Sequence, residues 1–161
     1  MAHLRASAGI QPFEKGIRWM EARQVVQEPV RFPHDLYALE IALKKIYRTS
    51  RQFLVPDIHG FLFVLGREGK SGENFAAVAI PVDHGGVHEA VTTIPAGNFA
   101  YYYHKGPYET LDRSHSKLKT YIKKAGHRIS GPVMERGLIS GLGAFSQRDY
   151  LVEIQAPVVP C

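Results

Sequence analysis

Three phenols in succession, Tyr101-Tyr102-Tyr103, follow Phe99 and precede the break at Gly106-Pro107. Successive side chains on a strand point to opposite faces. Tyr102 therefore looks one way, and Phe99, Tyr101 and Tyr103 the other. Ala100 and His104 share the Tyr102 face. Ala100 is small enough to let a helix approach, which assigns that face to a helix and turns Phe99, Tyr101 and Tyr103 toward a groove. A phenol combines a flat apolar ring with a polar tip and tolerates partial exposure. A groove lined with phenols suits a flat hydrophobic compound.

Two carboxylates lie on strand-like runs further along. Glu135 alternates with Val133, Gly137 and Ile139, and Glu153 with Leu151 and Gln155. A carboxylate among apolar neighbours is costly to bury unless paired, and such groups in clefts tend to be functional. Glu135 is the first candidate to meet positive charge on a ligand, and Glu153 the second. A structural partner such as Arg136 or Arg148 is the alternative for Glu135. Trp19, Phe61 and Phe63 are candidates for the opposite wall, with plain core packing as their alternative. No metal is expected. His84 and His88 are separated by a turn-forming pair that includes Gly86, and no third ligand stands near, where zinc takes three or four. The lone cysteine, Cys161, is the last residue, which leaves no partner for an internal disulfide. No cofactor is expected.

The elements that position these residues occur twice. Apolar residues recur at helical spacing in "DLYALEIALKKIYRTS" and in "ETLDRSHSKLKTYIKKAG", predicting helices over Leu36–Ser50 and Glu109–Ala125. In the second helix the inward stripe is Leu111, His115, Leu118, Ile122 and Ala125, and Gly126 supplies the stop. Each helix is followed by two strand-like runs joined by a polar loop, a hairpin signal, and preceded by one more strand. The order strand, helix, strand, strand is thus repeated. Ile80-Pro81-Val82 and Ala156-Pro157-Val158 close the two halves, with an offset of 76 between the prolines. The repeat predicts an internal duplication: a tail over 1–14, then one domain over 15–161 with modules at about 15–83 and 87–159. Each module is a small antiparallel sheet with a helix on one face, and the uncovered faces form a groove between the modules, a favourable place for a ligand.

Composition restricts the classes. The chain has 161 residues, 45% hydrophobic and 22% charged, with a net charge of +5. These are globular values. The basic residues Lys44, Lys45, Arg48 and Arg51, and Lys117, Lys119, Lys123 and Lys124, are those left outward when each helix buries its stripe. No nucleic-acid-binding pattern is present, no run approaches a membrane span, and the polar start lacks a signal peptide. A cytoplasmic protein that does not bind DNA by itself is expected.

The stretches "IPAGNFAYYYHKGPYETL", "GPVMER" and "VEIQAPV" together resemble the GyrI-like (gyrase-inhibitor-like) family. These are the effector-binding domains of multidrug-sensing MerR-type and Rob-like AraC-type activators, also found as stand-alone proteins. The resemblance is clearest from about Val87 to Val158. It implies an α+β fold of two β-α-β-β modules about a pseudo-twofold axis, with a ligand groove between them. It also implies a small-molecule-binding function toward hydrophobic, often cationic, aromatic compounds. Glu135, after Gly131-Pro132, matches the glutamate that meets the ligand's charge; Gly137 stands where members often carry a tyrosine. Two alternatives accompany this reading. Some GyrI-like proteins resemble hydrolases that open cyclopropane rings of genotoxins, and there Glu135 would be the general base with Tyr103 positioning the substrate. The family name suggests a protein partner, DNA gyrase, bound on an outer surface.

Overall fold

The computed structural model describes residues 14–30, 36–53, 62–65, 76–84, 86–139, 146, 148 and 150–161. Among the described residues, nine strands and two α-helices follow in chain order: β1 (Lys15–Met20), β2 (Arg23–Val30), α1 (Leu36–Ser50), β3 (Leu62–Leu65), β4 (Ala76–Pro81), β5 (Thr92–Ile94), β6 (Gly97–Lys105), α2 (Leu111–Lys124), β7 (His127–Ile129), β8 (Val133–Ile139) and β9 (Leu151–Pro160). The protein is α+β and built of two β-α-β-β modules, β2-α1-β3-β4 and β6-α2-β8-β9, as the repeat predicted.

All strand pairs are antiparallel, and eight strands follow the order β1-β6-β9-β8-β3-β4-β2-β5; β7 adds to the end of β9. The order reads the same from either end once the modules are exchanged. β3 meets β8 at the centre, and at the ends each module's leading strand pairs with the other's: β1 with β6 and β5 with β2. Yet β1 and β2 are separated only by Glu21 and Ala22, and β5 and β6 only by Pro95 and Ala96. Six strand spacings in a flat sheet would part β1 from β2 by about 29 Å, whereas three Cα steps reach at most about 11 Å. The sheet therefore curls into a ring, with the helices outside.

The helices form because one stripe of each is apolar. α1 buries Ala42 and Ile46 against Val26, Val30, Val78 and Ile80 of its module. Tyr47, next to Ile46 in the sequence stripe, stays exposed. α2 sets Leu118 and Ile122 against Ala100, Tyr102, Ile154 and Ala156. Burial of side chains such as Leu118 or Ile154 stabilises by about 1.5–3 kcal/mol each. The last turn of α2 carries Lys123 and Lys124, where cations complement the helix dipole. The helix stops at Gly126, whose φ of 73° is the left-handed value that glycine adopts without strain. Two hydrogen bonds tie Glu14 to β6: the Tyr103 N–H donates to its carbonyl at 2.8 Å, and the Tyr102 hydroxyl to its carboxylate at 2.9 Å. Residues 1–13 of the expected tail lie outside the described residues. Among the described residues, no helix is long and apolar enough to cross a membrane.

Candidate functional site

Strand β6 presents its two faces as its alternation predicts. Ala100 and Tyr102 belong to the cluster under α2. Phe99, Tyr101 and Tyr103 lie on the opposite, inner face, where they pair in register with Pro157, Gln155 and Glu153 of β9. Tyr101 and Tyr103 meet edge to face, with ring centroids 5.7 Å apart. Tyr101 crosses the backbone of its register partner Gly16: a Cβ there would stand 2.7 Å from the phenol oxygen. The missing side chain makes room for the ring.

Charge stands on this inner face too. The Glu153 carboxylate is buried, 4% exposed, and its partner Arg18 is 37% exposed. The same guanidinium donates to the Tyr103 hydroxyl at 3.4 Å and lies 4.6 Å over the Tyr101 ring. Gln155 donates its amide to Glu153 at 2.8 Å and accepts at its oxygen from Nη1 of Arg23 at 2.9 Å. Arg18, Glu153, Gln155 and Arg23 thus form one chain of contacts across the inside of the ring. Arg23 also lies 5.3 Å over the Phe99 ring. Burial opposes the charge on Arg18, but the Tyr103 hydroxyl and the Glu153 carboxylate outweigh it and hold its pKa above the ordinary value. Arg23 goes the other way. Burial pushes its pKa down against the pull of Glu153, and the positive Arg136 and Arg18 add to the fall.

The kink between β1 and β2 makes this cluster. Arg18 and Arg23 are five positions apart and would face opposite sides of a regular strand. Glu21 and Ala22 belong to neither strand, and beyond them the alternation changes phase, so both arginines reach β9. Neither they nor Gln155 stand out in the sequence by motif. The available signal is a Glu-Ala pair within an otherwise strand-like run, with Arg18 three residues before it and Arg23 directly after it.

Two expectations are corrected. Glu135 does not face inward. It pairs in register with Ile154, which packs under α2, and its carboxylate lies 2.6 Å from Nε2 of His115 on that helix. The alternation of β8 is as expected, but Val133 shows which face it shares, because Val133 packs against the α2 cluster. Glu135 and Tyr103 consequently stand on opposite faces of the sheet and cannot act together as base and positioning group. Trp19 shares the phase of Ile17, which packs toward α2; it is 61% exposed and donates its indole N–H to Glu21 at 3.2 Å. Phe63 stands on β3 in register with Val78 and Glu135, and its side chain lies outside what the structure describes. Phe61 lies outside the described residues.

Among the described residues, His104, His84 and His88 are engaged in local contacts. The Nε2–H of His104 donates to the Pro107 carbonyl at 3.0 Å, leaving Nδ1 to accept from the Ser114 hydroxyl at 2.7 Å. His84 and His88 both meet Phe53 edge-on at 5.0 Å.

Solved structures share this arrangement. The C-terminal domain of EcmrR superposes with a TM-score of 0.77 at 17% identity, covering 94% of this chain and 100% of that one. A hydrolase from Listeria innocua gives 0.66 at 10% identity, covering 98% of both chains. The structure of SAV2435 bound to tetraphenylphosphonium gives 0.59 at 14% identity, covering 91% of this chain and 94% of that one. No family model and no curated sequence matches the chain. The likeness is one of fold, and the fold is the GyrI-like one that the sequence motifs imply.

Proposed function

We propose that this chain is a small-molecule-binding protein that takes hydrophobic aromatic compounds against the inner face of β6. The observation that carries this reading is the covering of the inward phenols. Tyr101 is buried, and the Arg18 guanidinium lies over its ring. Arg18 is 37% exposed and hangs from the outermost strand of the order. Swinging it outward uncovers the Tyr101 ring, the Tyr103 hydroxyl and the Glu153 carboxylate together. Those three groups are what an aromatic cation would use: a π face, a polar tip and a counter-charge. Arg18 already holds the place of such a cation, so a cationic ligand binds by exchanging with it, with Glu153 in the role expected of Glu135. Neutral aromatic compounds bind through ring contact alone. The likeness to the tetraphenylphosphonium-bound SAV2435 supports the same reading.

The test is titration calorimetry with tetraphenylphosphonium and with the neutral 2-naphthamide, against wild type and Tyr101→Ala. Both compounds should bind wild type, and the variant should weaken both at least tenfold, since stacking on an aromatic ring contributes about 1–3 kcal/mol. Failure of both to bind wild type, or unchanged binding to the variant, overturns the reading.

A second reading rests on the likeness to the Listeria hydrolase. In it Glu153 activates water with Tyr103 beside the substrate, and Arg18 must leave first, because an ion-paired carboxylate is a weak base. Consumption of a cyclopropane electrophile by wild type, lost in Glu153→Gln, would establish it.

A further inference from the structure

The Arg23 guanidinium is served on one side only. Its Nη1 donates to Gln155 at 2.9 Å. Its Nε and Nη2 are shut off from solvent and have no hydrogen-bond partner among the described residues. These two N–H groups lie on the same edge of the planar guanidinium and point in parallel. That edge is one of the forks that match the two oxygens of a carboxylate. Buried donors without acceptors are costly, and here the cost falls on a charged group whose neighbours Arg18 and Arg136 are also positive. The nearest counter-charge, Glu153, is already engaged by Arg18 and Gln155. Phe99 lies 5.3 Å from the same guanidinium, ring toward its face, so the group sits on the aromatic side of β6.

We infer that the preferred ligand of this chain is an aromatic acid, its ring against the inner face of β6 and its carboxylate held side-on by Nε and Nη2 of Arg23. The inference rests on the small-molecule reading above and adds the sign of the ligand's charge. A cation must break the Arg18–Glu153 pair to find its counter-charge. An anion does not compete for Glu153, so Arg18 can return to its pair after entry, and it supplies the acceptors that Arg23 lacks. Entry still requires Arg18 to swing, which is the opening movement for any ligand. Burial already drives the Arg23 pKa down, so an arriving carboxylate relieves a destabilised charge. The geometry favours a planar, two-oxygen head over a single-point anion such as chloride.

Three probes of one shape separate the possibilities: 2-naphthoate, 2-naphthamide and 2-naphthylmethylammonium, titrated calorimetrically into the full chain. Naphthoate should bind at least tenfold more tightly than either of the others. Arg23→Gln should abolish that advantage, bringing naphthoate to within twofold of naphthamide measured on the same variant. Arg23→Lys keeps the charge but not the fork, and should lose most of the advantage too. Circular dichroism of both variants confirms the fold; neither substitution removes a satisfied partner other than the single bond to Gln155. If naphthamide binds but naphthoate gains nothing over it, the aromatic-acid inference fails while the binding function stands. If the advantage survives in Arg23→Gln, the anion site is elsewhere and the inference is wrong. If none of the three probes binds, the binding function falls with it.

Discussion

Arg18 lies 4.6 Å over the ring of Tyr101, and the two residues come from the cross-paired leading strands of different modules. The contact is therefore also a clasp between the modules, and its strength depends on what holds Arg18 from the other side. Glu153 does so.

Glu153→Gln keeps the size of the side chain and removes its charge. Three arginines, Arg18, Arg23 and Arg136, then share the neighbourhood without their carboxylate. Breaking a fully buried pair costs about 3–5 kcal/mol; with Arg18 at 37% exposure a loss of about 2–3 kcal/mol is expected. Urea denaturation reads it. A loss below about 0.5 kcal/mol, the surface range, would mean that solvent already screens the pair.

Glu135→Gln is expected to behave differently. Its partner is His115 on the helix side, so the variant should lose about 0.5–1 kcal/mol of stability and bind 2-naphthamide as wild type does. A tenfold loss of affinity would return Glu135 to the ligand face.

Gly16→Ala places a methyl group 2.7 Å from the Tyr101 hydroxyl. Gly16 is not among the positive-φ glycines, so the cost is one of space. Overpacking of this kind costs about 1–3 kcal/mol. Tyr101→Leu removes the obstructing ring, and the double variant should recover at least half of the loss. A double-mutant cycle with no coupling would mean that the ring does not lie across Gly16.

Alkaline stability should fall early. Tyr101 and Tyr102 both have pKa values raised above the ordinary 10.0, first of all by burial, with the Glu14 carboxylate adding to the rise at Tyr102. The folded state then keeps protons that the unfolded chain gives up. The stabilisation is fully present below pH 10 and is lost as pH rises through the higher folded values. Unfolding free energies between pH 9 and 11.5 should fall for wild type and fall less for Tyr102→Phe. Equal slopes would show that Tyr102 titrates alike in both states.

The periodicity of the chain carried the helices, the repeat and the two faces of β6, because each is a local alternation or a local stripe. What alternation cannot say is which of two faces a helix covers. On β6 the small Ala100 decided it. On β8 the deciding clue lay on another element: His115 stands in the inward stripe of α2, where a polar side chain requires a partner, and Glu135 is that partner. Trp19 is ambiguous for the same reason. Arg18 and Arg23 were illegible for a further one. Their common destination depends on a change of phase at Glu21-Ala22, and a run of strand-forming residues reads through such a kink without interruption.

The exchange of leading strands bears on how such a chain can arise and how it can be divided. β1 completes the sheet of the second module, and β5 that of the first. A solitary module would carry an unmated strand beside an open edge, and open edges recruit other chains. Two separate copies would satisfy each other by trading arms, giving the present ring as a homodimer. The single chain is then the covalently tethered form of that dimer. Cutting it between residues 83 and 91 should yield halves that remain together, each stranded without the arm of the other.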